Sequence, residues 1–296
     1  MKIVGLRYEG PIYRPPSEAN SLLIQTTIGC PWNKCTFCMV YKNGPKFRIR
    51  DVNDIKEDLL WAKNNYLLPI ETIFFPSGNS IIMKTDDFIE VLNYTKELFP
   101  NVKRITIYGS SQYIVNKGLN DMKKLFNAGL SRIHVGLESG SDTVLKNVCK
   151  GSTYNIHVKA GKIVKESGIE LSEYIILGLG GRRYSKTHIF ETIKAINQIN
   201  PDFIRIRTFL PKINTPILKD IESGAFKILS PHEILRETYD LISGLNVTSM
   251  IYSDHYTNYI QIKGKMPDDR YSMLESITKA FEVDEENYRK TYIGTE

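Results

Sequence analysis

The hydrophobic pattern of the chain changes period repeatedly along its length. Short β-branched or aromatic runs recur at 22–28 (LLIQTTI), 72–75 (TIFF), 104–108 (RITIY), 131–137 (SRIHVGL), 171–177 (LSEYIIL) and 203–209 (FIRIRTF), each of strand length. Stretches of helical period lie between them. Val52, Ile55, Leu59 and Ala62 share one face, and Ile189, Ile193, Ile196 and Ile199 share another. Thr85, followed by Asp86 and Asp87, reads as an N-cap with an acidic first turn. Six strand-then-helix units with right-handed crossovers predict an α/β fold whose parallel sheet curls into a partial or complete barrel. From 210 onward the pattern is helical except for an apolar run at 246–252 (NVTSMIY). The Pro-rich stretch from Gly10 to Pro16 reads as an extended arm packed on the domain. With no internal repeat, low-complexity tract or linker, 1–296 is expected to be a single domain: an arm over 1–20, a barrel core over 21–210 and a closing extension over 211–296.

A length of 296 residues suits one large barrel domain of about 250 residues and leaves no room for a second of ordinary size. Basic residues number 39 against 33 acidic, a net charge of +6 spread along the chain, which tolerates an acidic or nucleic-acid partner without arguing for one. The N-terminal stretch lacks an apolar segment of signal-peptide length, and no run approaches 18 apolar residues. The expectation is a soluble cytoplasmic protein. In a reducing compartment, clustered cysteines point to a metal or to redox chemistry, because structural disulfides are rare there.

Three of the four cysteines, Cys30, Cys35 and Cys38, fall within nine positions of "GCPWNKCTFC". Thiolates this close suit a soft metal. Structural zinc takes four protein ligands, and the remaining cysteine, Cys149, is more than a hundred residues away and reads as a buried or partly buried helix-end thiol. An iron–sulfur cluster with one open iron accommodates three cysteines, and unliganded thiols are the third alternative. The predicted strands end in small or polar turns: "PSGNS" (76–80), "GSSQY" (109–113), "GLESG" (136–140) and "GLGGR" (178–182). In parallel β/α folds ligands sit at these C-terminal strand ends. The fourth and sixth runs also alternate. Ile133, Val135 and Leu137 oppose His134, Gly136 and Glu138, and Ile204 and Ile206 oppose Arg205 and Arg207. Arginines facing a barrel interior require an anion, from the protein or from a ligand. The segment "SDHYTNY" (253–259) follows the last strand-like run, where His255 and Asn258 can contact substrate or cap a loop.

The cysteine segment, together with "HVGLESGSDTVL", "YIILGLGG" and the late "SDHYTNYIQIKGKMPDDR", resembles the radical S-adenosylmethionine enzymes over about Tyr8 to Arg270. Four residues separate the first two cysteines, where most of that superfamily has three; a "CPxNxCTFC" branch shares the longer spacing. The resemblance implies a parallel (βα)6-type partial TIM barrel with a C-terminal helical and strand extension. It implies a 4Fe-4S cluster on Cys30, Cys35 and Cys38, and S-adenosyl-L-methionine on the open iron. Phe37 would lie by the adenine. Ser77, Gly78 and Asn79 stand where the family has a turn for the methionine amino group, here expected to act through its backbone. Ser110 and Glu138 would hold the ribose or methionine carboxylate, and Leu177, Gly178 and Leu179 would flank the adenine. A 5′-deoxyadenosyl radical would then take hydrogen from a substrate, with flavodoxin or ferredoxin as reductant.

Four cysteines leave none for a second cluster, and the stretch before Cys30 leaves no room for a cobalamin domain, which favours a minimal enzyme acting on a small molecule. Within the branch the chain is most similar to queuine lyase, which implies queuine as the substrate and release of a 7-deazaguanine base; another radical lyase or rearrangement reaction on a small metabolite is the alternative. Its recognition needs carboxylates for the guanine-like edge and for the linker ammonium, for which Glu138, Glu173 and Asp254 are available, with Arg205, Arg207 and Asn258 as further substrate contacts and Glu138, Asp254 and His255 as catalytic candidates. A reading of a different class makes the cysteine loop a metal-stabilised hairpin on an RNA-binding module.

Overall fold

The computed structural model describes residues 5–295, which fall into two compact units. The first gathers the residues up to Asn33 with Asn43–Val135 and Ile163–Leu171; the second gathers Lys34–Lys42, Gly136–Lys162 and Ser172 onward.

In the first unit β1 (Leu22–Leu23), β2 (Thr27–Ile28) and β3 (Arg48–Ile49) precede α1 (Val52–Asn65); β4 (Thr72–Phe75), α2 (Thr85–Leu98), β5 (Arg104–Gly109), α3 (Ser111–Ala128) and the start of β6 (Arg132–Glu138) follow. Strands β1, β4, β5 and β6 pair in parallel in that order. The expected strand at 22–28 is two short pieces instead, because Thr27 and Ile28 pair antiparallel with β3. The polar residues between them bond through side chains: Gln25 Nε2 donates to Ser77 Oγ at 2.9 Å and Thr26 Oγ1 to Ser80 Oγ at 2.9 Å. Phe75 packs edge-on against Phe88 of α2, so the face carrying Ile73, Phe75, Ile105, Ile107 and Ile133 meets the helices. On the opposite face Phe74, Tyr108 and His134 are in ring contact. Ile55, Leu59 and Ala62 are fully buried on α1 as their spacing predicts, whereas Thr85 is the first helical residue of α2 and not its cap. Its hydroxyl donates to Asp121 Oδ2 at 2.8 Å, which takes it away from the backbone. The N-terminal arm packs on this unit: Gln25 bonds both backbone groups of Glu9, and Tyr8 Oη donates to Leu23 O.

In the second unit the end of β6 is followed by α4 (Asp142–Asn147), α5 (Tyr154–Ser167), β7 (Glu170–Leu177), α6 (Gly181–Ile199), β8 (Phe203–Thr208), α7 (Ile217–Glu222), α8 (Pro231–Gly244), β9 (Met250–Tyr252), β10 (Lys263–Lys265) and α9 (Arg270–Ala280); 163–171 of this span belong to the first unit. Strands β7, β8 and β9 are parallel and β10 closes them antiparallel. A capping box of Ser230 and Glu233, with Pro231 at the first helical position, starts α8. Register places Tyr174 opposite Arg205 and Ile176 opposite Arg207, on the face away from Glu173, Ile175, Ile204 and Ile206. No helix of the described residues is long and apolar enough to cross a membrane.

Candidate functional site

In the first unit the chain leaves β2 through Gly29 into Cys30, which is half-buried and receives the Asn33 N–H at its Sγ, 3.4 Å away. The turn after β4 lies directly against it. Gly78 N donates to Gly29 O at 3.2 Å, and a Cβ on Gly78 would stand 2.6 Å from that oxygen and 2.9 Å from Cys30 Cα, so only glycine permits this approach. Ser77 and Asn79 are fully buried. Ser77 Oγ accepts from Gln25, while Asn79 receives the Ser110 N–H at 3.0 Å and donates to Ser110 Oγ at 2.8 Å. Their side chains are spent inside the protein, and within the turn the Gly78 N–H is taken by Gly29 O and the Asn79 carbonyl by Ile82 N.

In the second unit Cys35 and Cys38 are half-buried. Thr36 between them donates its N–H to Val148 O at 3.0 Å and accepts from Ile217 N at 3.1 Å, so the end of α4 and the start of α7 fix the loop. Phe37 packs on an apolar cluster of Val144, Val148, Leu179, Phe209 and Ile217. Next to that cluster is a cavity of about 330 Å³ bordered by Gly180, Arg183, Tyr184 and Phe226. Cys149, expected to be a buried or partly buried helix-end thiol, is exposed: it follows α4 with φ +52°, at the point where the helix gives way to a turn.

Lys150, which the sequence did not single out, places its Nζ 3.2 Å from Glu138 Oε1, both side chains being largely buried. Burial alone would lower the Lys150 pKa, but Glu138, Cys35 and Cys38 together raise it, so it stays an ammonium. Gly136 makes room for this pair, since a Cβ there would come within 2.2 Å of Glu138 Oε1 and 2.9 Å of Lys150 Nζ. Glu138 itself sits at φ +63°, a conformation that costs a non-glycine residue about 1 kcal/mol or more. The turn after it is pinned to α6, because Gly140 N donates to Thr192 Oγ1 at 2.9 Å and His188 Nδ1 accepts from Ser139 Oγ at 2.8 Å. Leu177 and Leu179 are buried inside the protein, and Gly178 N–H is taken by Glu237 Oε2 at 2.7 Å. Ser185 Oγ donates to the other Glu237 oxygen at 2.6 Å, and burial pushes this carboxyl up to about 7 despite both bonds. Glu237 was not found from sequence because its position on α8 reads as an ordinary helical glutamate.

The interior face of β7, β8 and β9 carries Tyr174, Arg205, Arg207 and Tyr252. The Arg207 guanidinium stacks 4.8 Å over the Tyr174 ring and that of Arg205 4.9 Å over Tyr252. Asp254 is half exposed, its Oδ2 3.8 Å from Arg205 Nη1. His255 Nδ1 accepts from Thr257 Oγ1 at 2.8 Å, which leaves the proton on Nε2, and burial followed by the charges of Arg207 and Lys212 lowers its pKa to about 4. Asn258 is wholly engaged within the protein: its amide donates to Ile206 O and Ser253 Oγ, and its oxygen accepts from Thr208 Oγ1. It caps a loop. Glu173, expected at a strand end, lies in the middle of β7, fully enclosed on the helix-facing side with Ile204 and Ile206. It is removed from the substrate contacts, and burial, then Glu138, raise its pKa well above the usual carboxylate range.

Among the described residues no three His, Cys, Asp or Glu side chains converge closely enough to hold an ion. The fit of an iron–sulfur cluster rests on the donor set. Three half-buried thiols outside any disulfide lie on one short segment, with an amide donated to the Cys30 sulfur and a glycine turn seated against the same residue.

The model of the radical SAM superfamily matches residues 24–196. A tRNA-2-methylthio-N(6)-dimethylallyladenosine synthase of Thermodesulfovibrio yellowstonii is 28% identical over 199 residues, 66% of this chain and 45% of the relative, so the chain spans less than half of that protein. Among solved structures, methylornithine synthase (PylB) aligns with a TM-score of 0.51 at 16% identity, covering 88% of this chain and 81% of that one. Coproporphyrinogen III oxidase (HemN) from Escherichia coli aligns with a TM-score of 0.55 at 17% identity, covering 75% and 52%. These likenesses show the fold, an α/β architecture with a mainly parallel sheet consistent with the expected partial barrel.

Proposed function

Because the chain belongs to the radical SAM superfamily, we propose that it abstracts hydrogen from a small molecule, holding a 4Fe-4S cluster through Cys30, Cys35 and Cys38. The family uses that cluster with S-adenosyl-L-methionine, which together supply a carbon-centred hydrogen abstractor. The protein's own share is binding and exclusion of water. Backbone groups of Ser77, Gly78 and Asn79 would meet the cosubstrate's amino end, and Ser110 and Glu138 its hydroxyls or carboxylate. Glu138 is fixed for that role by Lys150. Phe37, Leu177, Gly178 and Leu179 would flank the adenine. A flavodoxin or ferredoxin would deliver the electron, and the charge of +6 suits an acidic one.

The observation that carries the small-molecule reading is the polar interior face of the second unit, where Tyr174, Arg205, Arg207 and Tyr252 stand on neighbouring strands. Neutral His255 keeps a proton on Nε2 and Asp254 offers a half-exposed carboxyl group, so both a donor and an acceptor are at hand for proton transfers that follow hydrogen abstraction.

Cleavage of queuine to a 7-deazaguanine base is the narrower reading. It rests on Asp254, since Glu138 is paired with Lys150 and Glu173 is enclosed. Anaerobic reconstitution, reduction and addition of S-adenosylmethionine, with and without queuine, tests both levels by mass spectrometry. 5′-Deoxyadenosine is expected from protein carrying about four irons. Its absence from iron-loaded protein would reject the hydrogen-abstraction reading. A rise of 7-aminomethyl-7-deazaguanine only with queuine would establish the lyase, and 5′-deoxyadenosine without that base would discard it.

A further inference from the structure

Arg205 and Arg207 stand two residues apart on β8, so their side chains leave the same face of the strand. Their surroundings differ from those of a structural ion pair. Arg205 is 5% exposed, and its Nε is buried with no hydrogen-bond partner. The nearest carboxylate, Asp254, is 3.8 Å from Nη1, beyond hydrogen-bond reach, and is itself half exposed. Arg207 makes no ion pair among those of the described residues; its guanidinium lies over the Tyr174 ring.

A guanidinium stacked on an aromatic ring keeps its plane fixed while its N–H edge stays open, and the stacking is worth about 0.5–2 kcal/mol. Removing an ion from water costs several kcal/mol, so the two rings alone do not offset the burial of two cations. Among the described residues no other carboxylate lies within ion-pair distance of either guanidinium. His255 is neutral, and Lys212, whose charge also acts on His255, adds positive charge and donates to Tyr256 Oη at 2.7 Å. What completes this arrangement is an oxyanion, which accepts paired N–H bonds from a guanidinium edge.

We propose that Arg205 and Arg207 form the dock for an oxyanion, a carboxylate or a phosphate, carried by the substrate. The inference rests on the hydrogen-abstraction reading of the second unit's interior, and it deepens that reading by naming the substrate class. It turns the choice of substrate away from queuine, whose linker is a cation and which carries no oxyanion. Tyr174 and Tyr252 then act as positioning residues, holding the two guanidinium planes.

The test uses cluster-loaded protein with S-adenosylmethionine bound, titrated calorimetrically with inorganic phosphate and separately with succinate, at constant ionic strength against chloride. Saturable binding of at least one probe, weakened tenfold or more in both Arg205→Gln and Arg207→Gln, is expected. The probe that binds more tightly decides between phosphate and carboxylate. If neither probe binds, or if both variants bind as the unaltered protein does, the dock is refuted. Should Arg205→Gln fail to fold, the less buried Arg207→Gln decides alone. 5′-Deoxyadenosine formation by the unaltered protein is measured in the same preparation. Cleavage without oxyanion binding refutes the dock only, whereas oxyanion binding without cleavage refutes the reading it rests on.

Discussion

The two units bury charge in opposite ways. In the first, the buried carboxylates Glu18 and Asp58 have close cationic counterparts. Glu18, fully buried, accepts from Ser21 Oγ at 2.7 Å, lies 3.2 Å from Arg104 Nη2 and 3.4 Å from His134 Nε2. Asp58, buried on α1, receives Arg50 at 2.7 Å and Arg7 of the arm at 2.8 Å. In the second unit Arg205 and Arg207 meet aromatic rings and one distant carboxylate. Position along the strand explains the contrast. Arg104 and Arg132 are the first residues of β5 and β6, whereas Arg207 is the last but one of β8. In parallel β/α folds the N-terminal strand ends serve stability and the C-terminal ends serve ligands. In the second unit Glu138, at the C-terminal end of β6, is paired with Lys150, so it is Arg205 and Arg207 that lack a close carboxylate.

The largest effect that separates the two roles comes from the cysteine loop. Cys38→Ala should lose iron and all 5′-deoxyadenosine formation, while the unloaded protein keeps its stability within about 0.5 kcal/mol, as for a change away from the core. Iron analysis and denaturant unfolding check both halves. Next is Glu18→Ala, which strands Arg104 and His134 and should cost about 3–5 kcal/mol in the same unfolding experiment. A loss below about 1 kcal/mol would break the comparison. Burial acts to raise the Glu18 pKa, but the bonds from His134 and Ser21 and the Arg104 charge prevail and hold it at about 2. Since the folded value lies below the unfolded one, this stability is present above pH ~4.5 and lost as pH falls through about 2, roughly 3 kcal/mol in all.

Glu237 should show the opposite sign. Burial first, against bonds from Ser185 and Gly178, raises it to about 7, so the folded state holds the proton more tightly than the unfolded. Stability should fall as pH rises from about 4.5 through 7, by up to roughly 3 kcal/mol. Melting temperatures of Glu237→Gln across that range should lack this slope, and an unchanged slope would place the titration elsewhere. The smallest effect is steric. Gly78→Ala drives a Cβ onto Gly29 O and Cys30, with an expected cost of roughly 1–3 kcal/mol and a lower iron content after reconstitution. Full iron retention would remove the turn from the cluster's support.

The faces of the second unit's strands were legible because period-2 alternation assigns faces without knowing partners: Arg205 and Arg207 opposite Ile204 and Ile206 is a statement about one strand. Partners were not legible. Lys150 meets Glu138 only because α4 ends where it does, and Glu18 meets His134 across 116 residues. Glu173 misled for the same reason, since alternation within LSEYIIL leaves open which face is interior, and the register with β8 decides it. The strand expected at 22–28 failed because apolar content does not specify a single ladder; Gln25 and Thr26 bond sideways and split it. The three-residue β10, with two exposed lysines, has no strand signal at all and forms by pairing with β9.

The most direct test of the central claim is electron paramagnetic resonance on the anaerobically reconstituted and reduced protein, recorded before and after S-adenosylmethionine is added. The account predicts a single reduced 4Fe-4S signal, from about four irons per chain, that changes when the cosubstrate occupies the iron left open by three cysteines. A signal indifferent to S-adenosylmethionine, or a protein that takes up zinc in place of iron, would contradict it.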